Sequence, residues 1–295
     1  MNEQSHPPAG GHRPKSDAVF LSGTVALGGF YILLVALLIA GDVCYTSPRE
    51  LWQAFTIPEI RYSLVLSLVS STITTILALW VAVPLGYLLS RWQLEQAEDG
   101  FAAGIGGPAT PRRRRLLDTA LVVVDTVIDI PLVLPPLVVG VSLLVLFSYP
   151  PLRAASDWVV YEIPAVIIAQ FTVAAAFAVR TMRTTFDQIP LRQEQVAMTL
   201  GASRGQVFWT VLLPQARRGL VAAATLSWAR AFGEFGPVLI FAGSISMRTE
   251  VLPTTIFLKL EEGNLTAALS VSVAMILCAM IVLVIMRLVG WRRVV

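Results

Sequence analysis

The chain has 295 residues, 56% of them hydrophobic and only 14% charged, with a mean hydropathy of +0.72. Soluble domains carry about 25% charged residues, so water alone is a poor solvent for this one. Its apolar residues gather into runs of about twenty, enough to cross a roughly 30 Å hydrocarbon layer as helices, and they lack the apolar–polar alternation of a porin-type barrel.

In chain order, the start MNEQSHPPAGGHRPKSD (residues 1–17) is polar and rich in Pro and Gly, and is expected to be a disordered segment. The run Ala18–Ala40 follows. It exceeds the roughly 7–15 residues of a cleaved signal's apolar region, and LLIAGDVC lacks lipobox-like spacing before Cys44, so it reads as a first span that stays. Further spans are predicted at Tyr62–Leu89, Pro131–Phe147, Tyr161–Val179, Leu220–Ala242 and Leu265–Leu288. Leu116–Ile130, interrupted by Asp118, Asp125 and Asp129, fits either an interfacial lead-in or an extension of the third span. Gln93–Pro111 reads as a flexible linker, with Gly and Pro opposing a stable helix. Cys44 and Cys278 have no ligand-like spacing and read as structural.

Six spans leave both termini on one side, and the net charge of +3, nearly all arginine because Lys15 and Lys259 are the only lysines, says which. Arg13 and Lys15 precede the first span, Arg91 and Arg112–Arg115 fill the second connection, and Arg180, Arg183, Arg192, Arg204, Arg217 and Arg218 fill the fourth. Arg287, Arg292 and Arg293 end the chain, while the other connections hold Asp42, Glu50, Glu59, Asp157, Glu162, Glu250, Glu261 and Glu262. The positive-inside rule therefore predicts cytoplasmic termini and a cytoplasmic fourth connection. The charge reports topology, not a nucleic-acid partner. Arg112–Arg115 fit orientation alone or, alternatively, contact with anionic lipid head groups.

The fourth connection, residues 187–216, carries ordered punctuation in QVAMTLGASRGQVFWTVLLP. Pro190 suits the first turn of a helix, and Gly201 suits the left-handed position just past a helix end. Ser203 and Gln206 have capping-box spacing. Val207, Phe208, Val211 and Leu212 form an apolar stripe at helical spacing, and Pro214 closes the segment. The preceding helix offers Val196, Ala197 and Leu200. Such short helices are marginal alone; laying the apolar face in a partner's groove or on the bilayer surface would stabilise them.

These residues resemble the signature of inner-membrane permease subunits of binding-protein-dependent ABC importers: E-A-A, three residues, G, nine residues, I, any residue, L-P. Here the positions read Gln195, Val196, Ala197, Gly201, Val211, Leu213 and Pro214, with the spacing kept and Gln, Val and Val departing from Glu, Ala and Ile. Glu194 lies one residue early, about 100° away around a helix. The resemblance covers roughly Tyr62 to Val295, with the first span as an extension. It implies an all-α integral membrane fold of the type I importer permeases, molybdate-permease-like, with this loop as the coupling helix in a cleft of an ABC ATPase dimer. It also implies a periplasmic or lipid-anchored binding protein and a second permease copy around a central path in the cell's inner membrane. No GxxxxGK[ST] occurs, so the chain needs no cofactor of its own and ATP and Mg belong to the partner ATPase.

Ile128–Phe147, Ser227–Ser244 and the following RTEVLPTTIF resemble permeases for molybdate, tungstate and sulfate, the A-R-A-x-G-E-F-G core standing at Ala229–Gly236. Arg230 and Glu234, four apart in an apolar run, would share a helix face and pair. Together with Gly236 they fit either a pore or gate, or a brace within the bundle. Pro131, Pro135, Pro136 and Pro237 would kink or break their helices. Gly140, Gly233, Gly236 and Gly243 read as close-packing points. A secondary transporter would need inverted halves with paired broken helices, and no such repeat is evident. An intramembrane enzyme would need catalytic groups in the spans, yet His6 and His12 both lie in the N-terminal segment.

Overall fold

The computed structural model describes residues 15–104 and 111–292, and every regular element among them is helical. The chain divides into a short first unit, residues 1–48, and the remainder. In the first unit, α1 (Lys15–Tyr45) starts inside the segment expected to be disordered, whose residues 1–14 lie outside the described ones. Its apolar side chains, Phe20, Phe30 and Leu37 among them, are exposed, as suits a helix that meets lipid.

The second unit opens at Arg49, one residue into α2 (Pro48–Thr56), and continues with α3 (Pro58–Gly104). The apolar part of α3, Pro58–Trp92, has 35 residues, about 50 Å of helix at 1.5 Å per residue. Here the structure corrects the sequence reading, because α3 continues to Gly104 where a flexible linker is predicted from Gln93. Gln, Leu, Glu and Ala in QLEQAED are good helix formers, and extending an existing helix avoids the cost of nucleation. Residues 105–110 of that linker lie outside the described residues.

Two of the six predicted spans are not continuous helices. The stretch predicted as Pro131–Phe147 belongs to α4 (Pro111–Val133) and α5 (Pro136–Ser148), which meet at 114°. Leu116–Ile130 is thus the body of α4. Neither Pro135 nor Pro136 can donate a backbone hydrogen bond, and Pro135 adopts an extended conformation, φ −54° and ψ 135°, as a residue before proline prefers. After α6 (Arg153–Val159) and α7 (Ile163–Asp187) comes the connection with α8 (Leu191–Thr199), α9 (Arg204–Val207), a π-helical stretch (Phe208–Leu212) and α10 (Leu213–Gln215). The span predicted as Leu220–Ala242 is α11 (Arg217–Phe232) and the six-residue α12 (Gly236–Phe241). A continuous helix would need an N–H on Pro237 for the carbonyl of Gly233, and proline has none. α13 (Leu252–Glu261) and α14 (Leu265–Arg292) complete the chain. By length and composition four described helices can cross a membrane, five if the bent pair counts as one span.

The centre is α3 against α7. Lipid tails are as apolar as leucine, so helices associate in a bilayer by close approach and by hydrogen bonds, not by hydrophobic expulsion. α7 supplies Ala165, Ala169, Ala174 and Ala178, all fully buried. Gly86 of α3 lies so near that an added Cβ would stand 2.9 Å from the backbone nitrogen of Arg183. Hydroxyls tie helices together. Ser67 Oγ accepts from the Leu252 amide at 2.8 Å, Thr74 donates to Gln170 Oε1 at 3.2 Å, and Ser227 donates to the Ala174 carbonyl at 3.1 Å. The broken elements meet each other: an added Cβ on Gly140 would come within 2.9 Å of Ile240 Cβ, and one on Gly236 within 2.7 Å of Pro136 Cβ.

Candidate functional site: the loop after α7

α7 ends at Asp187, and Pro190, extended at φ −60° and ψ 132°, caps α8, so α8 begins one residue later than the sequence suggests. Its other end is a Schellman closure. The Gly201 amide donates to the Met198 carbonyl at 3.0 Å and the Ala202 amide to the Ala197 carbonyl at 3.2 Å. This closure requires a left-handed residue between helix and exit, and Gly201 has φ +92°. Three residues on, the capping box forms as spaced: the Gln206 amide donates to Ser203 Oγ at 3.3 Å, and the Ser203 amide to Gln206 Oε1 at 2.8 Å.

Beyond Val207 the helix widens by one residue per turn, with the Leu213 amide reaching the Phe208 carbonyl. π-helical insertions of this kind recur at functional positions. Pro214 does not close the helix as the sequence suggests. It lies in α10, and the break falls at Ala216, before α11. Proline is tolerated there because it stands in the first turn of a new segment, where its missing N–H costs nothing.

The predicted stripe has the expected period and a different destination. Val207 and Leu212 are buried inside this chain, and the Phe208 ring meets Tyr87 and Phe186 with centroids at 5.2 and 6.3 Å. That face is already occupied and is not available to a partner. The outward apolar side chains are Val196, 52% exposed, Leu200, 84%, and Trp209, 67%. Gln195 and Pro214 are also exposed, while Ala197, Val211 and Leu213 are half-buried. Trp209 escaped the sequence reading because it lies off the stripe; its signal was a large aromatic on the face that helical spacing turns away from the core.

The inward face of α8 carries a charge. Glu194, the carboxylate one position early, is 5% exposed and paired with the equally buried Arg91 of α3. The contact between Arg91 Nε and Glu194 Oε1 is ionic, without the alignment of a hydrogen bond. Tyr87 donates to Glu194 Oε2 at 3.2 Å, and Arg91 Nη1 donates to the carbonyls of Phe186 and Ile189, both at 3.1 Å. Read by charge alone, Arg91 is one of several topology markers. Arg183 and Arg180 likewise pair with Asp125 and Asp129 of α4, the latter at 2.6 Å, around a cavity of about 280 Å³.

The other predicted residues lie at the break between α11 and α12. Arg230 Nη1 stands 2.9 Å from Glu234 Oε2, the pair four residues apart as expected. The Glu234 side chain is 1% exposed, and Gly236 is buried against Pro136 and Leu137. Only Arg230, 29% exposed, reaches an open surface. Gly236, Gly140 and Gly243 are close-packing points; Gly233 is not, its nearest neighbour to an added Cβ being the Ala229 carbonyl at 3.5 Å. The structure brings Gln195, Val196, Ala197 and Gly201 together on one loop, joins Arg230 to Glu234, and keeps the two groups apart along α11.

The second unit is thus a helical bundle with broken spans, carrying a capped helix pair on a loop pinned to α3. The model of the family described as binding-protein-dependent transport system inner membrane component matches residues 100–294, and the chain belongs to that family. It is 31% identical over 259 residues to the molybdenum transport system permease protein ModB of Mycobacterium tuberculosis, covering 85% of this chain and 88% of that one. It is 28% identical over 271 residues to the sulfate transport system permease protein CysT of Escherichia coli, covering 88% and 89%. Among solved structures, a bacterial alginate ABC transporter in complex with an alginate-bound periplasmic protein has a chain of the same fold, with TM-score 0.66, 14% identity and coverage of 92% and 93%. The chain is an ABC importer permease subunit, multi-pass in the membrane and not itself an enzyme, and ATP hydrolysis belongs to a separate subunit.

Proposed function

We propose that two copies of this chain form the path of an importer that carries a tetrahedral oxyanion, molybdate or tungstate first and sulfate as the alternative. A periplasmic or lipid-anchored binding protein delivers the anion. An ABC ATPase dimer, holding ATP and Mg, receives the α8–α9 loop of each copy as a coupling helix. In this reading the termini and that loop are cytoplasmic, and closure of the ATPases swings the helices from inward-open to outward-open. Affinity resides in the binding protein, because a path must release what it conducts.

The supporting observation is the two-sidedness of α8, with Glu194 pinned inward and Val196 and Leu200 turned outward. Such a helix is held for an external groove. Leu200→Asp is therefore expected to cost at least about a hundredfold in affinity for the ATPase. Burying a leucine contributes about 1.5–3 kcal/mol, and a carboxylate in its place adds a desolvation cost. Co-purification of the ATPase measures it; full retention would place α8 on the bilayer surface instead.

Cargo is tested with the complete complex in liposomes, measuring ATP-dependent uptake of labelled molybdate against competing tungstate and sulfate. Uptake without ATP, or of none of the three, would refute the reading. Glu234→Gln is expected to lower uptake several-fold with assembly intact, because it leaves the Arg230 charge without its partner at membrane depth. An unchanged rate would make the pair a brace only.

A further inference from the structure

One turn of α3 grips everything that holds the loop. Arg91 donates to the carbonyls of Phe186 and Ile189, which close α7 and lead into α8. The Phe186 carbonyl also accepts from the Ile189 amide at 3.0 Å, so the guanidinium adds a further donor at the end of α7 while its Nε side faces the Glu194 carboxylate of α8. Four residues earlier, Tyr87 donates to the other oxygen of Glu194, and its ring meets Phe186 at 5.8 Å and Phe208 at 5.2 Å, both edge-on. Tyr87 and Arg91 thus touch the end of α7, the turn, α8 and the π-helical stretch. Neither belongs to the loop, and Glu194 is outside the signature spacing.

We propose that Arg91, Glu194 and Tyr87 are positioning residues that form a strut, so that displacement of α8 moves α3 and α7 as bodies and does not dissipate by bending the loop. This rests on the reading of α8–α9 as the coupling element. A loop tied to its bundle only through the backbone can yield by rotation about Gln188 and Ile189. The guanidinium, with planar donors and fixed angles, removes that freedom by holding both flanks of the turn to a third helix. Burial excludes water that would otherwise compete for the carboxylate and screen the pair.

The test uses the full complex in liposomes and reads anion uptake per ATP hydrolysed. It also reads, in labelled permease without the ATPase, the distance distribution between nitroxides at Leu88 and Thr199, both exposed, after replacement of Cys44 and Cys278. Glu194→Gln is expected to lower uptake per ATP by about tenfold and to broaden the distribution. Arg91→Lys is expected to fall between it and the wild type, since an ammonium cannot span two carbonyls and the carboxylate together. Exchanging the charges, Arg91→Glu with Glu194→Arg, restores the ion pair without the donations to Phe186 and Ile189, and is expected to recover coupling only in part.

A narrow distribution with wild-type uptake per ATP in Glu194→Gln would overturn the strut, as would lost coupling with a narrow distribution. If a variant no longer binds the ATPase, the distribution in the permease alone decides, broad supporting the strut and narrow refuting it. Failure of the underlying reading appears separately, as a wild-type complex that takes up no anion with ATP.

Discussion

Gly201→Val is expected to lower ATP-driven uptake by at least about tenfold while the chain still inserts in the membrane. The residue sits at φ +92°, and an added Cβ would meet nothing within 4 Å. The substitution therefore creates no clash, and the whole effect is conformational. A β-branched side chain in the left-handed region costs about 1–3 kcal/mol. That cost is relieved only by opening the turn in which the Gly201 and Ala202 amides meet the Met198 and Ala197 carbonyls. With the turn open, α9 no longer leaves α8 at a fixed angle, and Leu200 and Trp209 lose their relative placement. The order of activity should be Gly, Asn, Ala, Val, because asparagine tolerates the left-handed region best among side-chain-bearing residues. Uptake assays beside the amount of membrane-embedded chain check it; full uptake with valine would show that the turn's geometry is irrelevant to transport.

The second large effect concerns the fold. Gly236→Val should destabilise the bundle by about 1–3 kcal/mol, the range for overpacking, seen as a lower melting temperature in detergent and a lower yield. An added Cβ would stand 2.7 Å from Pro136 Cβ and 3.0 Å from the Pro136 carbonyl carbon, and 3.1 Å from the Leu137 nitrogen. Two of these are backbone atoms at the start of α5, so no side-chain rotation relieves the contact. Gly233→Ala is the matched control. Gly233 lies three residues away with φ −89°, and an alanine there would make ordinary contact. Equal losses at both positions would mean that the break between α11 and α12 needs glycine flexibility, and that close approach to α5 is not the cause.

Local grammar is legible in the order of the residues. The left-handed position at Gly201 and the capping box of Ser203 and Gln206 depend on neighbours within a few residues, and the fold forms them as the spacing predicts. The Arg230–Glu234 pair is of the same kind, since four residues along a helix bring two side chains together wherever the helix lies. The helical breaks are half legible. The prolines announce them, but whether a proline kinks a span or turns it by 114° depends on what packs into the gap, here α12 against α5.

Amphipathic period states that one face of a helix is greasy and leaves open what will cover it. Phe208, in the middle of the stripe, is covered by Tyr87 and Phe186, contributed by segments more than a hundred and about twenty residues away. For the same reason, charge counting could place Arg91 near a membrane surface and not beside Glu194, 103 positions further along the chain. Composition and short-range stereochemistry determined that this is a helical membrane protein with an ordered loop after α7. Only the tertiary structure decided which face of that loop is spent inward and which stays exposed, because burial is a property of pairs of segments and a sequence lists them one at a time.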